Sequence, residues 1–275
     1  MTSSAKADDY PLGRSEAETR RLMLQAQIYS PISRTFLRGA GITRGMRVLD
    51  VGSGAGDVSL LVADLVGPEG AVVGLEQNAE IVSIARERAE SMGYSHVSYI
   101  EGDARDATLL KDFDAVVGRW VLMYAPDPVR MLGDLLSALK QGGIVAFQEI
   151  DFSFAPRSHP PAPLFDQIMS LIVPRPNLPG PDRHAGFNLH QQFVQAGLEE
   201  PQMSMAVPVG AGPVWPGYQY VTDTMRSLIP SLPTAVRDMA NELDVSTLAN
   251  RLREEALAYG AVYSLPPLVG AWARQ

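Results

Sequence analysis

Three glycines within five residues, Gly52, Gly54 and Gly56, close one apolar run and open another. The first run is Val48-Leu49-Asp50-Val51, and Asp57 begins the second. A strand, a tight glycine turn and a helix in that order form a nucleotide-binding unit. The glycines permit backbone angles closed to other residues and let a ligand lie against the main chain. Their spacing narrows the ligand. A dinucleotide fingerprint reads G-x-G-x-x-G and would place its third glycine at position 57, which here is Asp57. A phosphate needs a helix N-terminus clear of negative charge. Asp57 as N-cap would occupy those amides and repel a pyrophosphate. A nucleoside without phosphate and with a positive charge fits better.

S-adenosylmethionine (SAM), with its sulfonium and ammonium, is such a ligand. The stretch resembles motif I of the class I SAM-dependent methyltransferases, and later landmarks follow the same order. Gly74-Leu75-Glu76-Gln77-Asn78 puts an acid at the end of a second strand, where such units keep the carboxylate that takes the ribose hydroxyls. Glu101-Gly102-Asp103-Ala104 resembles the family's third motif, whose acid is expected at the adenine amine. Phe113-Asp114-Ala115-Val116-Val117-Gly118 resembles its fourth strand. Leu139-Lys140-Gln141-Gly142-Gly143 resembles its L-k-p-G-G turn, with Gln141 in the proline's place.

Alternation of strands (46–51, 71–76, 96–101, 113–118 and 144–150) with helices (57–66, 79–92 and one from Pro128 that stops just before Gly142) argues for an α/β fold. The expectation is a Rossmann-like, seven-stranded, mostly parallel sheet with helices on both faces. A mainly helical cap would come from the N-terminus and two insertions. Residues 1–44 form the helical arm, broken at Ser30-Pro31, and 45–150 the SAM-binding core. Residues 151–186 are a proline-rich insertion, and 187–212 continue the core with a strand at 202–209. Residues 213–260 are a helical insertion, and 261–275 hold the last core strand.

At 275 residues the chain can bury a full core. No run of about 18 apolar residues is present, and the polar first 20 residues argue against a signal peptide. The absence of cysteine removes disulfides, thiol nucleophiles and thiolate metal sites, and fits a cytoplasmic setting. A net charge of −8 without a basic tract disfavours a nucleic-acid partner. A homodimer is left open.

Ligands of open α/β sheets bind beyond the carboxyl ends of the strands. With the resemblance, the expected cofactor-binding set is Tyr29, Gly52, Ser53, Gly54, Asp57, Glu76, Gln77, Asp103, Ala104, Arg119 and Trp120. Arg119 departs from the family's small polar residue, and either clamps a carboxylate or forms a structural ion pair. Trp120 and Met123 either line the pocket or belong to the core. Glu149 and Asp151 alternate along an extended segment and share a side. Candidates for proton transfer are Glu149, His184 and His190, since a histidine base suits oxygen methylation near neutral pH. His159 is a weaker candidate, and His96 is expected to be structural. Glu149 and Asp151 lack a third spaced ligand, so no metal is expected. Phe152, Phe154, Trp215, Tyr218, Tyr220, Met225, Leu228 and Trp272 either wall an apolar substrate pocket or form the core of the cap. Tyr10 is expected beside the site.

The resemblance implies methyl transfer to a small, largely apolar molecule, as in secondary metabolism. Two alternatives stand beside it: carbon methylation of an isoprenoid-type alkene, and SAM binding or cyclisation without methyl transfer.

Overall fold

The computed structural model describes residues 16–173, 181–232, 237–238, 240 and 243–275. Tyr10 and the prolines between 174 and 180 lie outside the described residues. The helices are α1 (Glu16–Gly39), α2 (Asp57–Val66), α3 (Ala79–Ser91), α4 (Pro128–Leu136), α5 (Pro163–Ile172), α6 (Ala185–Gln195), α7 (Gly217–Leu228) and α8 (Leu248–Tyr259). The strands are β1 (Arg47–Val51), β2 (Ala71–Glu76), β3 (Val97–Glu101), β4 (Phe113–Arg119), β5 (Leu139–Ile150), β6 (Ser158–His159), β7 (Gln202–Ala206), β8 (Val209–Gly210), β9 (Val262–Ser264) and β10 (Leu268–Arg274). Contacts divide the chain into two units.

One unit comprises Tyr29–Phe154, Asn177–Val207 and Pro266–Gln275. Among the described residues its sheet has seven strands in the order β3-β2-β1-β4-β5-β10-β7. β1 pairs in parallel with β2 and β4, and β10 pairs antiparallel with β5 and β7. The chain steps outward from β1 to β3, then returns to lay β4 on the other side of β1. This reversal opens a crevice at the carboxyl ends of β1 and β4.

Both faces of the sheet are covered, which is why its central strands are continuous apolar runs. Leu49, Val51, Val116 and Phe147 pack with Leu132 of α4 and Phe193 of α6. On the other face Val48, Val72, Val117 and Ile144 pack with Val58 and Leu61 of α2 and Phe36 and Leu37 of α1.

Two helix boundaries differ markedly from expectation. The helix predicted to break at Ser30-Pro31 runs unbroken through Pro31. Proline inside a helix costs roughly 3 kcal/mol, but Pro31 faces solvent while Tyr29, Ser33, Phe36 and Leu37 are buried around it. Burial of that face outweighs the lost hydrogen bond. The helix expected to stop just before Gly142 ends at Leu136, because Leu139 already pairs with Phe113 as the start of β5. Gly142, at φ 74°, serves the irregular start of that strand instead.

The other unit comprises Met1–Ile28, Ala155–Pro176 and Pro208–Leu265. Its small sheet has the order β6-β9-β8, so Val262–Ser264 is separate from the last core strand, which is β10. The strand expected over 202–209 likewise ends at Ala206, and Val209 pairs with Ser264 in the small sheet. Phe165 stacks on Tyr263 at 4.0 Å, with Tyr218 edge-on to Tyr263 and Trp215 edge-on to both. The Glu255 carboxylate accepts the Leu164 and Phe165 amides and the Tyr263 hydroxyl. Tyr218, Tyr220 and Met225 are therefore core of this unit and not a pocket wall. Trp272 packs against the apolar cluster of the seven-stranded sheet. Among the described residues no helix is long and apolar enough to cross a membrane.

Gly118 is the penultimate residue of β4, and a Cβ there would overlap the Phe147 ring. Gly118→Ala should lower stability by about 1–3 kcal/mol through overpacking, read as a reduced urea midpoint with unchanged slope.

Candidate functional site at the carboxyl edge of the sheet

The turn after β1 holds Gly52, Gly54 and Gly56 at φ 63°, 52° and 88°. A side chain at Gly56 would overlap the Tyr99 hydroxyl, and one at Gly52 would lie 2.8 Å from Val121 Cγ2. At Gly54 a Cβ would meet nothing within 4 Å among the described residues. Two of the glycines thus serve close packing, and the third keeps the backbone bare where it faces open space. The Ser53 hydroxyl is buried without a hydrogen-bond partner among the described residues.

Gly56, not Asp57, is the N-cap of α2. Asp57 is the first helical residue, and its carboxylate meets Arg88 of α3 at 2.7 Å. Arg88 also donates to the Ala55 carbonyl. The charge expected to repel a pyrophosphate is therefore paired, and what remains against a dinucleotide is the missing glycine at position 57. Arg88 was invisible to sequence reasoning because it is 31 residues from Asp57 on an ordinary helical face.

Glu76, at the end of β2, accepts the Gly54 amide at 3.1 Å and the Asn78 amide at 3.0 Å. Its carboxylate thereby joins the glycine turn to the start of α3, which Asn78 caps. Gln77 beside it is exposed. Asp103 caps the short helix that Ala104 begins and is gripped by Arg105, which holds its carboxyl below the usual range. His96 rests its Nε2 on the Ala63 carbonyl at 3.3 Å, away from this edge.

β4 ends at Arg119, which is buried and donates to the Ser33 hydroxyl at 3.1 Å. Trp120 follows at φ 60°. A bulky residue in the left-handed region costs on the order of 1–3 kcal/mol and clusters at functional sites. The Arg119 guanidinium lies 5.1 Å from the Trp120 ring, and Tyr29 meets that ring edge-on at 5.0 Å. Tyr29 is fully buried, with its hydroxyl on the Pro266 carbonyl at 3.2 Å. The Trp120 indole nitrogen, like the Ser53 hydroxyl, has no partner among the described residues. Met123 is buried in the following turn.

β5 ends in two acids with different partners. Glu149 is fully buried, and its Oε1 accepts the Val121 and Leu122 amides at 3.0 and 2.8 Å. Burial pushes its carboxyl up to about 8 despite those amides. Both partners of Oε1 are backbone amides, so this carboxyl is held within the turn that follows β4. Asp151 accepts the Ser153 and Phe187 amides and so ties β5 to the start of α6. Asp50, beneath the glycine turn, is also buried and pushed up to about 7, while Ser59 at 2.5 Å and Arg119 oppose the shift.

His184 stands just before α6, with Nδ1 2.8 Å from the Ser153 hydroxyl and its ring exposed. His190 does not join it. It faces Glu200 at 3.4 Å, and Glu200 precedes β7, whose start lies at the opposite edge of the sheet. His159 belongs to β6 in the small sheet. Phe152 is buried, whereas Phe154 and Phe187 form an edge-on pair at 5.9 Å with about half of each side chain exposed. Among the described residues no three His, Cys, Asp or Glu gather as a metal site.

Residues 42–171 match the family model of a methyltransferase domain. An arsenite methyltransferase of Aquipseudomonas alcaligenes is 31% identical over 46% of this chain and 40% of its own. A demethylmenaquinone methyltransferase of Lactococcus lactis is 29% identical over 49% of this chain and 51% of its own. The chain thus spans about half the length of the curated relatives it matches. A putative methyltransferase of Bacillus halodurans superposes at TM-score 0.52, with 21% identity, over 87% of this chain and 96% of its own. The [4+2]-cyclase SpnF superposes at 0.56, with 19% identity, over 90% of this chain and 82% of its own. At these identities both show a shared fold.

A carboxyl raised by burial favours its protonated form in the folded state, so its contribution to stability is full at low pH and lost as pH rises through the folded value. For Glu149 the window runs from its usual 4.5 to about 8. The guanidinium midpoint should fall between pH 6 and 9, and Glu149→Gln, which cannot ionise, should fall less over the same range. Parallel declines would mean that Glu149 is not the group responsible.

Proposed function

We propose that this chain, which belongs over residues 42–171 to the class I SAM-dependent methyltransferases, transfers a methyl group to a small, largely apolar molecule. The observation that carries the reading is the glycine turn, bare at Gly54 and bridged by Glu76, at the crevice where the strand order reverses. SAM, the family's cofactor, suits those residues. Glu76 offers a carboxylate to two hydroxyls, Gly54 lets the backbone approach, and the buried Ser53 hydroxyl and Trp120 indole nitrogen are polar groups left without partners among the described residues.

When bound, SAM supplies a methyl group on a cationic sulfur. The chain's tasks are then to orient an acceptor and exclude water. His184 is suited to take an acceptor proton. Its Nδ1 contact with Ser153 fixes the ring, and its Nε2 is available to the acceptor. The exposed Phe154–Phe187 pair beside it offers an apolar surface of the kind that small-molecule sites use. No such role falls to His190 or to the aromatic core around Tyr263.

S-adenosylhomocysteine (SAH) should raise the melting temperature and NAD should not. A shift with NAD alone would sink the reading. Glu76→Ala should weaken SAH binding at least tenfold, because each hydrogen bond to the charged carboxylate is worth about 1.5–3 kcal/mol. Incubation with methyl-labelled SAM and a panel of small apolar metabolites should move label to an acceptor and release SAH. Release without labelled product would favour SAM use without methyl transfer. His184→Ala should slow that transfer at least tenfold while leaving SAH affinity unchanged.

A further inference from the structure

We infer that Glu149 is a positioning residue that holds the turn after β4 against the glycine turn, and so sets the shape of the cofactor side of the site. The inference rests on the methyltransferase reading, but its geometry is independent of the acceptor. The ladder between β4 and β5 ends at Arg119 and Gln148, with a last bond from the Trp120 amide to the Gln148 carbonyl. Beyond it the chain takes the left-handed conformation at Trp120 and enters a short helical turn, Leu122–Tyr124. The Val121 and Leu122 amides have left the ladder and stand at the start of that turn, where no preceding carbonyl can take them. Buried amides require partners. Glu149 Oε1 receives both.

The consequence reaches the glycine turn through Val121. Its Cγ2 lies so close to Gly52 that a Cβ there would be 2.8 Å away. The contacts therefore run from Glu149 to the Val121 amide, and from the Val121 side chain to Gly52. Among the described residues Glu149 Oε2 is buried without a partner, which suits a neutral side chain held for shape better than a base that must meet solvent or substrate. An amide would keep the same acceptor oxygen, so glutamine should replace this glutamate and alanine should not.

The test compares Glu149→Gln and Glu149→Ala by SAH calorimetry and by hydrogen exchange of the Val121 and Leu122 amides. Glu149→Gln is expected within threefold of the parent in both. Glu149→Ala, in folded protein, is expected to lose at least tenfold in SAH affinity and to exchange at least tenfold faster at those two amides. A folded Glu149→Ala that matches the parent in both would overturn the inference, as would a Glu149→Gln that behaves like alanine. If Glu149→Ala does not fold, Val121→Ala takes its place, with at least a threefold loss of SAH affinity expected and an unchanged affinity overturning the link to Gly52. If the parent itself binds no SAH, the methyltransferase reading fails, and exchange at the two amides alone decides the role of Glu149.

Discussion

The sharp reversal of the chain after β1 is the constraint on which the site depends. Three residues within five take positive φ, which only glycine adopts cheaply. Gly56 lets the turn press against Tyr99, Gly52 lets Val121 press against the turn, and Gly54 leaves a stretch of main chain uncovered. The neighbouring strands then hold this shape. Glu76 bonds the Gly54 amide from β2, and Arg88 bonds the Ala55 carbonyl and Asp57 from α3. A loop that must accept a ligand along its backbone is kept rigid by side chains around it.

The same logic explains why acids dominate the carboxyl edge. Glu76, Asp103, Glu149 and Asp151 each accept backbone amides where strands end and helices begin. Strand ends and helix starts leave such donors unpaired, and a carboxylate satisfies two at once. The cost is unequal. Glu76 and Asp103 keep contact with solvent, whereas Glu149 and Asp50 are fully buried and hold their protons into the neutral range. Glu149 holds backbone amides and Asp50 holds the Ser59 hydroxyl, whereas His184 is exposed with its Nδ1 on the Ser153 hydroxyl.

Trp120 marks where the scaffold bears strain. The indole is held by Tyr29 on its edge and by Arg119 beside its ring, and the turn that follows is held by Glu149. A residue in so unfavourable a conformation persists only when its surroundings determine it from several sides. α1 contributes through Tyr29 and Ser33, which is one reason that helix continues through Pro31 rather than stopping there.

Local pattern alone determined the alternation of strands and helices, the glycine turn and the acid closing β2, because each is written in adjacent residues or at a fixed period. Tertiary structure decided the rest. Whether Pro31 ends a helix depended on how much surface that helix buries, and whether Leu139 is helix or strand depended on Phe113, 26 residues earlier. The partner of Asp57, the burial of Glu149, the separation of His184 from His190 and the placement of Val262–Ser264 outside the main sheet are all contacts between residues distant in the chain. No local spacing encodes them. They follow from the order in which strands are laid beside β1, which sets which side chains meet at the carboxyl edge and which are carried away from it.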